Sequence, residues 1–174
     1  MLQIQIPTYD HIDQILALNS KYLINHLSDT EKQNGFIRIQ YDREDLEKII
    51  DEQEIVIATE NDMVIGYYMV GRKSEKFELE LQKVMSLTLH HTGKFEYKKI
   101  GFGCQVCIDE AYRNNGLFGQ MLNELVNALS QKYSHLLCTI SDDNIISMKT
   151  HSNNGWKLVE QSELIKYFIY NTHS

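Results

Sequence analysis

At 174 residues, with 43% hydrophobic and 24% charged side chains, the chain is long enough to bury a core and defaults to a single domain over residues 1–174. Its net charge of -7, from 17 basic against 24 acidic residues and without a basic stripe, argues against nucleic acid as a partner. No apolar run approaches the ~20 residues that cross a bilayer, and Met1-Leu2-Gln3-Ile4 lacks the regions of a secretion signal, so a cytoplasmic protein with no membrane attachment is expected.

In chain order, residues 28–39 read as a variable loop, and residues 42–52 as a short amphipathic helix carrying Leu46, Ile49 and Ile50. Residues 54–70 predict a hairpin. Its arms are Ile55-Val56-Ile57-Ala58 and Val64-Ile65-Gly66-Tyr67-Tyr68-Met69-Val70, with Asn61-Asp62 as the turn. Over residues 74–91, Phe77, Leu79, Leu81, Val84, Met85 and Leu87 fit either a helix or a strand; a helix is favoured. Residues 98–108 read as the central strand, 135–140 as the next, and 156–159 with 165–170 as a closing pair.

Cys104 and Cys107 make a Cys-x-x-Cys, but inside a predicted strand a spacing of three points them to opposite faces. His90-His91 are adjacent rather than a helical turn apart and complete no half-site, so no metal is implied. With Cys138 the cysteines are most simply small core residues of a reducing compartment.

The most informative stretch runs from Gln105 to Val126. Val106 and Ile108 alternate with more polar neighbours, and the chain turns over residues 109–112. Leu117, Met121, Leu125 and Leu129 then fall four apart, as do Phe118, Leu122 and Val126, giving a helix of roughly four turns one apolar face. Just before it, Asn114, Asn115 and Gly116 tolerate positive φ, so successive backbone N–H groups can turn inward together. Such a nest binds anions. The helix N-terminus adds its own N–H groups and partial charge, and Arg113 adds a full charge, so a diphosphate is the natural guest. An ordinary strand-to-helix turn remains the other reading, because Gly and Asn mark many loops that bind nothing.

Tyr112-Arg113-Asn114-Asn115-Gly116-Leu117 resembles the Arg-x-x-Gly-x-Gly/Ala acetyl-CoA loop of the GCN5-related N-acetyltransferase (GNAT) superfamily. Downstream, Asn144, Ser147, His151, Gly155 and Trp156 resemble that family's Asn-x-x-Ala/Ser-x-x-x-Tyr/His-x-x-x-Gly-Phe segment. Residues 4–7 followed by 10–19 are similar to its first strand and first helix, so the resemblance spans nearly the whole chain. Two departures stand out. Phe118 sits where the family most often has Gly or Ala, ahead of Gly119, and its ring is expected to turn into the core. His151 sits where many relatives carry a Tyr that protonates the departing thiolate, a task a His performs at neutral pH only if enough of it is protonated.

The resemblance implies an α/β (α+β) fold, the GNAT acyl-CoA N-acyltransferase fold. Its mixed, mostly antiparallel sheet has about seven strands flanked by helices, the fourth and fifth splayed to admit the pantetheine arm. It implies acetyl-CoA (coenzyme A) as the acyl-donor cosubstrate and no metal. The diphosphate would lie on Arg113, Asn114, Asn115, Gly116, Leu117, Phe118 and Gly119, and the pantetheine amides would pair with the backbone at Cys107 and Ile108. Asn144 and Ser147 would lie beside the arm, Asn144 also reading as a helix N-cap.

The implied activity is N-acetyl transfer to an amine of a small molecule or peptide by direct attack in a ternary complex. The amine must come within about 3 to 3.5 Å of the thioester carbon, and His151 is the candidate to protonate the thiolate. Gln105 cannot serve as base; Glu78, Glu80, Asp142 and Asp143 carry the right group without a fixed direction, and Tyr67 and Tyr68 either line the acceptor site or pack. The alternative is a non-catalytic acyl-CoA-binding or regulatory module on the same fold. The acidic surface suits a cationic amine acceptor, and Ile165, Tyr167, Phe168 and Tyr170 supply the final-strand surface through which relatives often pair as a homodimer.

Overall fold

The computed structural model describes residues 1–71, 99–161 and 164–173. Its strands are β1 (Leu2–Gln5), β2 (Ile55–Glu60), β3 (Met63–Met69), β4 (Ile100–Phe102), β5 (Gln105–Ile108), β6 (His135–Ser141), β7 (Lys157–Gln161) and β8 (Ile165–Asn171). The helices are α1 (Ile12–Lys21), α2 (Asp29–Lys32), α3 (Arg43–Asp51), α4 (Leu117–Leu129) and α5 (Ile145–Asn153). The expectations for residues 74–91, with Glu78, Glu80 and His90-His91, lie outside the described residues, as does Lys98. Among the described residues no helix is long and apolar enough to cross a membrane, and no group of side chains is arranged to hold a metal ion.

Contacts gather the chain into two units, Met1–Met69 with Gln105–Ala128 and Val70–Cys104 with Leu129–Ser174. In the first, an antiparallel sheet runs in the order β1-β2-β3-β5. The β2–β3 turn is the one its residues dictate: Asn61 at φ 50° and Asp62 at φ 62° both take the left-handed conformation of a two-residue type I′ hairpin. Helix α3 starts where Asp42 caps it, accepting a hydrogen bond from the Asp45 N–H at 2.8 Å, and it buries Leu46, Ile49 and Ile50 as the spacing predicts. With Ile12, Ile15 and Leu18 of α1 and Ile57 and Tyr67 of the sheet they form one apolar cluster. The N-terminal strand sits slightly earlier than the sequence suggested and ends before Pro7, whose missing N–H and fixed φ cannot extend a ladder.

Helix α4 buries Leu117, Phe118, Met121, Leu122, Leu125 and Leu129, nearly the whole expected stripe. It lies close to the sheet at Gly66, where an added Cβ would stand 3.3 Å from the Met121 sulfur and 3.2 Å from the Cys107 carbonyl oxygen. Gly66→Ala is therefore expected to cost about 1–2 kcal/mol, with Met121 yielding but the β5 backbone not. Chemical denaturation measures this, and a variant as stable as the parent would show that the helix is not held at that distance.

The second unit carries a sheet in the order β4-β6-β8-β7, in which only the β4–β6 pair is parallel. Ile100, Phe102 and Leu137 cluster with Val159, Tyr167 and Ile169, while His151, Trp156, Phe168 and Tyr170 form an aromatic group under α5. The predicted strand over 98–108 is not continuous. It breaks at Gly103, φ 79°, where the Gly103 and Cys104 N–H groups both donate to the Leu137 carbonyl, at 3.0 and 3.3 Å. Cys104 thus stands outside both strands, and all three cysteines are free thiols.

Candidate functional site

Among the described residues, strand β5 is an edge of its sheet. It pairs with β3 on one side, and no ladder joins its other side to a strand among the described residues. Where it ends, Asp109 caps a 3-10 turn over Glu110–Tyr112, its carboxylate accepting from the Ala111 N–H at 3.2 Å. Tyr112 donates its hydroxyl to Glu60 at 2.8 Å, and Asp109 pairs with Lys21 at 2.8 Å. Burial is the largest single influence on the Asp109 carboxyl and raises it, but the hydrogen bonds from Lys21 and the Ala111 N–H, with the Lys21 and Arg113 charges, together outweigh it and leave the group below its ordinary value; the Asp109 bond pushes Lys21 up to about 12.

The backbone then alternates between hands. Arg113 is extended at φ -74°, Asn114 is left-handed at φ 63° and Gly116 left-handed at φ 75°. This is the nest geometry expected of Asn-Asn-Gly. The first bond of α4 runs from the Gln120 N–H to the Gly116 carbonyl at 3.2 Å, so the preceding amides stand ahead of the helical ladder. Space above the loop is open, since a Cβ on Gly116 would meet only the Gln120 side-chain nitrogen, at 3.9 Å. The Phe118 ring does not fill that space. It is buried against Tyr68 with centroids 5.3 Å apart.

Arg113 is less available than its position suggested. Its Nε donates to the Ile108 carbonyl at 2.8 Å, one terminal nitrogen donates to the Asn34 carbonyl at 2.7 Å, and the guanidinium lies 4.6 Å from the centre of the Tyr22 ring. Asn114, Asn115 and Gly116 are exposed, while Cys107 is buried with Sγ 3.9 Å from the Leu18 carbonyl oxygen. Burial pushes its thiol up to about 12, so Cys107 contributes backbone only. Tyr67 is wholly buried, its hydroxyl accepting from Asn19 at 2.8 Å and Gln105 at 2.9 Å; with Tyr68 against Phe118, both tyrosines are packing residues.

The remaining candidates lie in the second unit and are joined along α5. Asn144 is the N-cap, accepting from the Ser147 N–H at 3.2 Å, and the Ser147 carbonyl lies 2.8 Å from His151 Nδ1. Only an Nδ1–H can serve that carbonyl, which fixes the tautomer. His151 is 3% exposed, and desolvation drives it down to about 4, against the opposing hydrogen bond to Ser147. Burial therefore disfavours the protonated form that the expected role, donating a proton to the thiolate, requires. Asp142 is held by Lys166 at 2.7 Å, and Asp143 is exposed beside it.

No family model and no curated protein sequence matches the chain. Solved structures do. A putative acetyltransferase, YncA, from Salmonella typhimurium, solved with its cofactor acetyl-CoA, is 12% identical, with a TM-score of 0.65 over 98% of this chain and 94% of that one. The PaiA N-acetyltransferase of Thermoplasma acidophilum, in complex with coenzyme A, is 10% identical, with a TM-score of 0.68 over 98% and 99% of the two chains. A GNAT-family acetyltransferase from Streptococcus agalactiae is 16% identical, with a TM-score of 0.63 over 98% and 95%. The chain has the GNAT acetyltransferase fold. The strands that the resemblance expected to splay, β5 and β6, here belong to separate sheets, and the described strands number eight rather than about seven. The residue that sequence reasoning missed in this GNAT fold is Tyr22, whose hydroxyl accepts from the Glu110 N–H at 2.8 Å. Its position after α1 carried no sequence signal, because its partners are more than eighty residues away.

Proposed function

We propose that this chain is an acetyl-CoA-dependent N-acetyltransferase that passes an acetyl group to an amine of a small molecule or peptide by direct attack in a ternary complex. The observation that carries the reading is the Asn114–Gly116 loop, whose two left-handed residues stand directly before a thirteen-residue helix. Its amides, with those opening α4, would hold the diphosphate of the coenzyme. The open edge of β5 at Cys107 and Ile108 would pair with its amide arm as an added strand. Solved neighbours of the same fold hold acetyl-CoA or coenzyme A.

Bound acetyl-CoA would supply a thioester carbonyl already activated toward amines. The chain's own task is then positioning and exclusion of water rather than covalent catalysis. Cys107, with its thiol raised to about 12, offers no nucleophile for an acyl-enzyme. The burial that lowers His151 to about 4 weighs against it as the acid, and in this reading water would donate the proton to the departing thiolate. That neutral imidazole is also the one observation favouring the second reading, a module that binds acyl-CoA without turnover.

Calorimetric titration with acetyl-CoA tests the proposal. Saturable binding is expected for the parent chain. In Gly116→Glu it should weaken about a hundredfold or more, because a carboxylate would face the diphosphate. A folded parent that binds nothing would sink both readings. Binding without release of free thiol across a panel of amines would favour the module.

A further inference from the structure

Two consecutive residues at the end of α1 grip both ends of the segment that leads into the loop. Lys21 pairs with Asp109, the Tyr22 hydroxyl takes the Glu110 N–H, and the Tyr22 ring carries the Arg113 guanidinium on its face. Arg113 closes the arrangement by donating backward to Ile108 and outward to Asn34. We propose that Arg113 and Tyr22 are positioning residues that set the conformation of the diphosphate loop, Arg113 acting through its fork of donors and its planar face rather than as a charge offered to phosphate. The inference deepens the coenzyme reading and rests on it.

Three features carry it. The donors that Arg113 uses are committed to two carbonyls in diverging directions, one on the strand that feeds the loop and one in the segment after α2. A guanidinium can meet both from two different nitrogens while lying over an aromatic ring, whereas an ammonium must serve both from a single atom. The residue that follows, Asn114, is the first of the two left-handed ones, so holding the Arg113 side chain fixes the backbone where the reversal begins. Tyr22 is buried and has a defined job for each part, the hydroxyl for Glu110 and the ring for Arg113. The proposal also ties the loop to the Asn34 carbonyl.

The test compares the parent, Arg113→Lys and Tyr22→Phe. Each is titrated by NMR with coenzyme A and with pantetheine, which lacks the diphosphate, and amide hydrogen exchange is followed over residues 114–119. Arg113→Lys, which keeps the charge, is expected to bind coenzyme A about tenfold more weakly, to bind pantetheine as the parent does, and to exchange faster over those amides. Tyr22→Phe keeps the ring and loses the hydroxyl that accepts from Glu110 and meets Lys21, so it is the milder variant, expected to fold even if the lysine variant does not and to show the same pattern more weakly. A lysine variant equal to the parent would overturn the proposal, as would equal weakening of both ligands. Should the folded parent ignore coenzyme A, the coenzyme reading fails by itself. Exchange then decides the positioning role: faster in the variants upholds it, unchanged overturns it.

Discussion

Gly71→Ala is expected to lose about 3 kcal/mol or more of stability, or to leave the chain unable to fold, because a Cβ at Gly71 would lie 2.4 Å from the carbonyl oxygen and 3.0 Å from the carbonyl carbon of Gly103. Both atoms are backbone and cannot swing aside. The approach exists because the chain breaks at Gly103, where two successive N–H groups converge on the Leu137 carbonyl and φ is 79°. Gly101→Ala is the control. There the Cβ would meet Leu136 Cδ2 at 2.9 Å and Tyr133 Cδ2 at 3.1 Å, side-chain atoms that can give way, so a loss of about 1–2 kcal/mol is expected. Urea denaturation of both variants measures the contrast. Equal losses at the two sites would mean that the Gly71–Gly103 approach is not a backbone constraint.

That break was legible in part. Gly101 and Gly103 inside an otherwise strand-like run are the residues that mark a bulge or a close approach of two backbones, but the apolar residues around them carry the stronger signal of one continuous strand. The hairpin was legible because Asn61-Asp62 names its own turn type between two short apolar runs, although the register shift between Ala58 and Thr59 left no mark in the sequence. Helix α2 fell inside a stretch read as loop although Ser28 and Glu31 form a capping box, each side chain meeting the other's backbone. The signature was present. At four residues, the helix offered no periodicity to draw attention to it.

The candidate site divides along the same physical line. Asn114, Gly116 and the α4 stripe were readable because positive φ and helical spacing are properties of local sequence. The Phe118 ring turned into the core, as a bulky residue on the apolar face of α4 must. The partners of Arg113 were not readable, since Tyr22 and Asn34 reach it only after the chain has folded. A charged residue beside a candidate anion-binding loop looks like a ligand until its hydrogen bonds within the fold are seen. Helix α5 hid its buried face for a different reason: Ile145 and Ile146 are exposed while His151 is buried, so no apolar stripe pointed to the histidine as an interior residue.

Burial of His151 makes a second large effect expected, a loss of stability on mild acidification. The folded chain holds this imidazole neutral with a pKa of about 4, whereas the unfolded chain protonates it near its ordinary value of 6.5. Between those values the unfolded state binds a proton that the folded state refuses, so stability falls as pH falls and rises as it rises. At about 1.4 kcal/mol per unit the gap amounts to about 3 kcal/mol, fully present above pH 6.5 and lost by pH 4. His151→Phe keeps an aromatic ring against Trp156 and Phe168 but cannot titrate. It gives up the bond to the Ser147 carbonyl, which costs about 1 kcal/mol at pH 7, and its stability should then fall less steeply with acid than the parent's. Urea midpoints for both chains from pH 7 to 4.5 separate this group from every other titrating one. Parallel curves would mean that the imidazole is solvated, and would restore His151 as a proton donor.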